Sequence, residues 1–343
     1  MVIGRALRRL LRGSVVLCAA IKLPLCLLAV IVSGSATAAD WKPNRPIEIV
    51  VGAGPAGGND RIARVLQKVI QDTKLIPQTV LVVNKPGAGG AVAQSYVNSH
   101  AGDGHYLLVA NPSLITNPLT GISTATYLDN TPIVQLLADY VVLVGRSGLP
   151  YKTGAEVLKV LHEKPSGLSI AVSPGLGTGT HIAVASLAEA AGIDPTGLRI
   201  IPYNGASEAL TGVLGQQLDL MPTTSENIQA MVTAGRVQAY GVTAPKRLGG
   251  ALAAVPTWRE QGFDVVFNNW RAVVGPKNLN ADQIAYWNDI FSKVVATDEW
   301  KAFARNSFLE LDYHDSAGLA AMLKSDSDAT KAILGRLGLL KTQ

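Results

Sequence analysis

Four glycine-rich junctions carry the residues of this chain whose types and spacing could do chemistry. Gly52-Ala53-Gly54-Pro55-Ala56-Gly57 fits G-x-G-x-x-G, directly after the apolar run Ile47 to Val51 and directly before a helical pattern. Such a turn can seat a pyrophosphate on free helix N–H groups and on the positive end of the helix dipole. A dinucleotide site also wants an acidic residue at the end of the next strand, to take the ribose hydroxyls. That strand, Leu81 to Val83, ends in Asn84-Lys85 instead. The motif therefore reads as an anion cradle without a nucleotide. A plain tight turn is the structural alternative, and an exported α/β dinucleotide-binding oxidoreductase is the competing function.

The other three junctions are Pro86-Gly87-Ala88-Gly89-Gly90, Gly175-Leu176-Gly177-Thr178-Gly179-Thr180 and Tyr203-Asn204-Gly205-Ala206. Glycine lets backbone approach a ligand closely, and Thr178 and Thr180 add hydroxyl donors. Each loop alone is ordinary punctuation, but together they point to a small-anion cleft that holds a carboxylate without an arginine. Catalysis has little support. His100, His105, His162, His181 and His314 show no metal-ligand spacing, and no G-x-S-x-G elbow occurs. His181 reads as a loop residue and Asp60 as a helix-start carboxylate. No catalytic residue, metal or cofactor is expected. Trp270, after Asn268-Asn269, is the tryptophan expected near the ligand, while Trp258 and Trp287 read as core or cleft-wall aromatics.

The elements that must position these loops alternate. Strand patterns at Ile47 to Val51, Thr79 to Val83, Tyr106 to Ala110 and Val141 to Val144 flank helical patterns at Asp60 to Ile70 and Ala91 to Asn98. The alternation repeats through Leu168 to Val172, His181 to Ala191, Leu198 to Tyr203, Ser207 to Leu214 and Leu218 to Met221. This implies open, largely parallel sheets with helices on both faces. From Asp282 onward the tail reads as helical, with Trp287, Phe291, Val294 and Val295 on one face. With 343 residues, 48% hydrophobic and 16% charged, the chain can bury two lobes. Breaks near Val144 to Gly148 and near Phe267 to Asn269 suggest a discontinuous lobe, 39–144 with 268–343, and a continuous one, 145–267. Two crossings between them suit a hinge.

The formal charge of +5 belongs to the start of the chain. Of the 30 basic residues, Arg5, Arg8, Arg9, Arg12 and Lys22 precede the first acid, Asp40, which leaves 25 against 25 acidic. A neutral remainder predicts no nucleic-acid partner. Residues 1–38 read as a signal peptide: a basic start, an apolar run from Val15 to Val32 broken by Lys22 and Pro24, then Ala36-Thr37-Ala38-Ala39. Cleavage is expected near Ala38/Ala39, with export to the periplasm. Cys18 and Cys26 both lie in that leader, so the exported chain is expected to hold no thiol.

Read in order, the residues resemble the Bug-type, TctC-like substrate-binding receptors of tripartite tricarboxylate transporters. The likeness runs through Arg45-Pro46-Ile47, Pro55-Ala56-Gly57-Gly58-Asn59-Asp60 with Ala63-Arg64, Asn84 to Gly90, Asp103-Gly104-His105-Tyr106 and Asn117-Pro118. It continues through Gly177 to His181, Pro202 to Gly205, Asp219-Leu220-Met221, Val255-Pro256-Thr257 and Trp270. The resemblance implies a two-lobed periplasmic-binding-protein fold of the type II, Venus-flytrap class. It also implies a monomer without catalysis, and two membrane permease subunits as partners. By position it implies a first cradle of Ala53, Gly57, Gly58, Asn59 and Asp60, and a second of Gly177, Thr178, Thr180 and His181 with Tyr203, Asn204 and Gly205. Ser113 and Thr223 are carried over with them. The family usually has phenylalanine where Ala53 stands, a second glycine at Ala56 and often an acid at Thr223. A neutral Thr223 gives a ligand ammonium no partner, and Ala53 leaves room for an aromatic or long-chain dicarboxylic acid.

Overall fold

A computed structural model of the chain describes residues 41–55 and 57–341. The expected signal peptide and its cleavage near Ala38/Ala39, and the departure at Ala56, lie outside the described residues. In chain order the elements are β1 (Ile47–Val51), α1 (Gly58–Asp72), β2 (Val80–Asn84), α2 (Ala91–Asn98), β3 (Tyr106–Ala110), α3 (Ser113–Thr120) and β4 (Asn130–Ala138). There follow β5 (Val141–Arg146), α4 (Gly154–Glu163), β6 (Ser169–Val172), α5 (Gly179–Ala190), β7 (Arg199–Pro202), α6 (Ala206–Leu214), β8 (Leu220–Thr224), α7 (Ser225–Thr233) and β9 (Val237–Val242). The chain closes with β10 (Arg271–Pro276), α8 (Ala281–Ala296), α9 (Asp298–Asn306), β11 (Glu310–His314) and α10 (Ser316–Arg336).

Two sheets result, in the orders β11-β4-β10-β3-β1-β2 and β7-β6-β8-β5-β9. Only the pairs β1–β2, β1–β3, β6–β7 and β6–β8 are parallel; β10 runs against β3 and β4, and β5 against β8 and β9. The sheets are mixed rather than largely parallel because β5 and β10 are the strands that carry the chain between them. In each sheet one strand, β1 or β6, sends the chain first to one side and then to the other. The loops at the carboxyl ends of those strands part at this reversal and leave a crevice.

The first crossing is earlier than expected. The whole of Val141–Arg146 pairs in the five-stranded sheet, so the chain changes sheet at Asp139–Tyr140 rather than near Val144 to Gly148. The return falls at Asn268–Asn269, where Tyr140 and Asn268 form an isolated antiparallel bridge. The tail is not continuously helical, since β11 interposes and pairs with β4. The end of α10 also leaves the first sheet: Ile333 and Leu334 share one buried cluster with Val141, Ile182, Ala183 and Phe267. Nearby, Arg336 Nη2 donates to Glu189 of α5 at 2.6 Å.

Helices form where apolar residues recur on one face. Ile62, Ala63, Leu66, Val69 and Ile70 of α1 are buried on the six-stranded sheet with Trp287, Phe291, Val294 and Trp300. The opposite face of that sheet buries Trp270 with Leu319 and Leu323 of α10. The second sheet packs Val213 and Ile228 on one side, and Trp258, Tyr240 and Leu187 on the other. Trp258 sits so close to the backbone that a Cβ added at Gly154 or Gly241 would lie 2.5 or 2.7 Å from its ring. Replacing Trp258 with alanine is expected to cost about 3–5 kcal/mol. Leu128→Ala, at a side chain 67% exposed, is expected to stay within about 0.5 kcal/mol. Urea denaturation measures both, and equal midpoints would contradict this packing.

Candidate functional site

The crevices of the two sheets face one another across a cleft of about 770 Å³. Its lining draws on the start of α1 (Gly57, Gly58, Asn59), the loop before α2 (Gly89, Gly90) and the start of α3 (Pro112, Ser113). From the second sheet come the starts of α5 (Thr178, Gly179, Thr180), α6 (Ala206) and α7 (Thr224, Asn227). These six helices share a property. Their N-cap residues, Gly57, Gly90, Pro112, Thr178, Gly205 and Thr224, offer no side-chain hydrogen bond to the first turn, although at α3 the preceding Asn111 supplies one, its Oδ1 accepting from Ser113 N at 3.0 Å. The four helices away from the cleft are capped, α4 by Thr153, α8 by Asn280, α9 by Thr297 and α10 by Asp315. Helix-start N–H groups left without a cap need an acceptor from elsewhere, and together with the dipoles they favour an anion.

The glycine signature has a packing cause. A Cβ on Gly52 would lie 2.6 Å from the Cα of Gly90, so the first loop and the loop before α2 touch backbone to backbone. Gly54 has open space around it, and a Cβ on Gly57 would meet the Gly54 carbonyl at 3.3 Å and the Ala53 Cβ at 3.6 Å. Asn84 stands where a ribose-binding acid would, and its Nδ2 donates to Ala53 O at 3.0 Å and to Asp60 Oδ1 at 2.8 Å. It fastens the first loop to α1.

The expected residues divide. Ala53, Gly57, Gly58, Asn59, Ser113, Thr178, Thr180 and Thr223 line the cleft together. Asp60, Gly177, His181, Tyr203, Asn204, Gly205 and Trp270 stand outside the lining. Asp60 is buried and accepts from Arg64 Nε at 2.8 Å as well as from Asn84. Tyr203 leans on the core of the second sheet. Trp270 is buried beneath the floor, its Nε1 donating to Asp326 at 2.8 Å, so the ring serves the core instead of the ligand wall. The threonines line the cleft, yet Thr178 Oγ1 donates to Gly175 O and Thr180 Oγ1 to Ser173 O, both at 2.7 Å. Their hydroxyl protons shape the loop, which leaves backbone N–H groups as the donors toward the cleft.

Sequence reading missed the floor. Asn111, Asn117, Asn227, Asn269 and Arg271 also line the cleft. Arg271 faces a fully buried Asp139, Nη2 to Oδ2 at 3.3 Å, and Nη1 donates to Asn269 O at 2.7 Å. Burial pushes the Asp139 carboxyl up and the Arg271 guanidinium down, and each charge opposes the shift of the other. The available signal was an aspartate ending an apolar strand and an arginine opening another.

His181 holds the second cradle from behind: its Nδ1 accepts from Gly177 N at 3.0 Å, which requires a neutral ring. Burial lowers its pKa to about 4 from an ordinary 6.5. Below pH 6.5 the unfolded chain takes a proton that the folded chain refuses, so this contribution is complete above pH 6.5 and is lost as pH falls toward 4. The slope is expected to reach about 1.4 kcal/mol per pH unit. Subtracting the stability–pH profile of His181→Asn from that of the wild type isolates it. Parallel profiles between pH 6.5 and 4 would show that the ring is not held neutral.

This fold and this cleft define a two-lobed solute-binding protein. Residues 62–339 match the family described as the tripartite tricarboxylate transporter family receptor, TctC. The chain belongs to that family, whose members are non-enzymatic periplasmic receptors. It is 31% identical over 266 residues to the UPF0065 protein in the tcbD-tcbE intergenic region of Pseudomonas sp. (strain P51), covering 76% of each chain. Among solved structures it is similar to the periplasmic binding protein BugD, at 26% identity and TM-score 0.71 over 88% of this chain and all of that one. The fold is also that of MatC from Rhodopseudomonas palustris with bound malate (22% identity, TM-score 0.69, covering 85% of this chain and 99% of that one). R. palustris Rpa4515 with adipate shares it too (20%, TM-score 0.73, 86% and 98%).

Proposed function

We propose that this receptor captures a dicarboxylate, with a long-chain or aromatic diacid favoured, and delivers it to the two membrane subunits of a tripartite tricarboxylate transporter. In this reading the leader is removed near Ala38/Ala39, and the protein works as a periplasmic monomer of two lobes divided at Asp139–Tyr140 and Asn268–Asn269. The observation that carries it is the contrast in capping: five of the six cleft-facing helix starts are left without a side-chain cap, α3 being capped by Asn111, and the four helices away from the cleft are all capped. That arrangement supports an anionic ligand held by backbone N–H groups. Two proteins of this fold hold dicarboxylates, malate and adipate, which supports the ligand class.

The size preference rests on Ala53. It lines the cleft and also packs on the core of the first sheet, so a larger side chain there projects into ligand space. A thermal-shift screen of C4 to C8 dicarboxylates and aromatic diacids tests the proposal, because a ligand at 100 times its Kd adds about 2.7 kcal/mol to stability. A long or aromatic diacid is expected to give the largest shift in the wild type. In Ala53→Phe that shift is expected to vanish while a C4 acid still binds. A wild type that responds only to C4 acids, with Ala53→Phe unchanged, would defeat the size argument.

Closure follows from a contact across the cleft. Arg61 of α1 pairs with Glu226 of α7, and a Cβ on Gly58 would lie 3.3 Å from Glu226 Oε2. The two sheets' helices thus meet at the cleft mouth, a contact that lobe opening would break. Small-angle scattering is expected to show a smaller radius of gyration with saturating ligand. An unchanged radius would point to a rigid, preformed pocket.

A further inference from the structure

Arg271 is the only charged residue in the cleft lining among the described residues. It opens β10 beside the end of β3, where Ala272 pairs with Ala110, and so lies next to the loop of Asn111 and Ser113 at the cleft floor. Only 7% of the residue is exposed. Its donors are incompletely used. Nη1 is satisfied by the carbonyls of Asn269 and Trp270 at 2.7 and 3.2 Å, and Nη2 has the 3.3 Å contact to Asp139. Nε is buried and has no acceptor.

A buried guanidinium N–H without an acceptor is costly, and native interiors seldom keep one. The fork formed by Nε and Nη2 is one that a carboxylate can bridge with both oxygens. Asp139 cannot fill that role alone, because it is shared. Its carboxylate also accepts from Ser225 Oγ at 2.8 Å and from Asn269 Nδ2 at 3.3 Å. What Asp139 does is keep the guanidinium in place and offset its charge, so the floor carries an oriented donor set without a large net charge.

We infer that Arg271 binds one carboxylate group of the ligand at the cleft floor, while the uncapped helix starts hold the other, and that this division selects diacids over monoacids. The inference rests on the dicarboxylate reading above and assigns a residue to its second anionic group. The helix starts offer many weak donors to an anion at the cleft walls. Arg271 offers a fixed, water-poor one at a single depth, so it rewards a ligand with a second carboxylate at the right distance. A monoacid of the same length leaves that donor unmet and brings apolar carbon to it instead.

Calorimetry with succinate, adipate and suberate against butyrate, hexanoate and octanoate tests this, since each pair differs in one carboxylate at fixed carbon count. Wild-type protein is expected to prefer the diacid of its best pair by on the order of tenfold or more, the range for a hydrogen bond to a charged group. Arg271→Met is expected to abolish the preference. Because that change strands a buried Asp139, the double variant Asp139→Asn with Arg271→Met removes both charges, and Arg271→Lys keeps the ion pair while losing Nε and the fork. The double variant is expected to bind diacid and monoacid about equally, and Arg271→Lys to lose several-fold in diacid affinity. Circular dichroism melting identifies the variants that fold. Folded variants that keep the wild-type ratio overturn the role of Arg271. A wild type that binds a monoacid as tightly as its diacid does so as well. A wild type that binds none of the six acids, and none of the aromatic diacids of the thermal-shift screen, overturns the dicarboxylate reading itself.

Discussion

A carboxylate removed entirely from water must find donors on every side, and Asp139 finds them where the two sheets join. Asn269 donates to it twice, backbone N–H to the Asp139 carbonyl at 2.8 Å and Nδ2 to the side chain at 3.3 Å. Arg271 reaches it from β10, and Ser225 reaches it from the first residue of α7. One buried group therefore gathers the outgoing crossing, the returning crossing and a helix start of the second sheet. Burying an ion pair rarely adds net stability, because desolvation consumes the Coulombic gain. The geometry is worth more than the energy: moving Asp139 disturbs both crossings and the floor of the cleft at once.

The second constraint is the close approach of loops. Gly52 and Gly90 lie backbone to backbone, which brings the starts of α1 and α2 to one rim. Across the cleft, Gly177 has φ +71, and a Cβ there would lie 2.8 Å from Thr120 Cγ2, so the loop of the second sheet is seated against α3 of the first. Side chains at these points would push the helix starts apart. Packing thus accounts for the first glycine of the G-x-G-x-x-G spacing, Gly54 having open space around it, and nucleotide binding needs more than this spacing supplies. Asn84, tying Ala53 and Asp60, occupies the place that would have had to supply it.

Much of this was legible in residue order. Strands β1 and β3 and helix α2 have the bounds expected of them, because short apolar runs bounded by turn residues mark the strands and Gly90 marks the helix start. The loops were legible from glycine. Two strands beside the cleft escaped for one cause. Strands β4 and β10 are buried on both faces and antiparallel to each other, so they carry neither the alternation nor the flanking glycines that mark a strand at the surface. The crossing at Asp139–Tyr140 is marked in the sequence by a single aspartate between two apolar runs, whereas Gly145, Gly148 and Pro150 make a stronger break further on. Trp270 was drawn toward the ligand by its neighbours Asn268 and Asn269. Alternation along the strand sends Asn269 and Arg271 to the cleft, and Trp270 between them to the opposite side, against α10.

That alternation also explains why the cleft can be both polar and firm. Its upper walls are helix starts whose donors belong to the backbone, and backbone donors cannot rotate away when a ligand leaves. Its floor is the polar face of Asn269 and Arg271, whose intervening residue is locked into the first sheet's core by Trp270 Nε1 and Asp326. Burial raises the Asp326 carboxyl, and its bond to Trp270 works against that shift, so the floor rests on a second, half-buried carboxylate. Two such carboxylates, Asp139 at the crossing and Asp326 beside the tryptophan, fix Arg271 directly and through Asn269 and Trp270 before it. A long, flexible side chain becomes a positioned one because the residues before it have nowhere else to go.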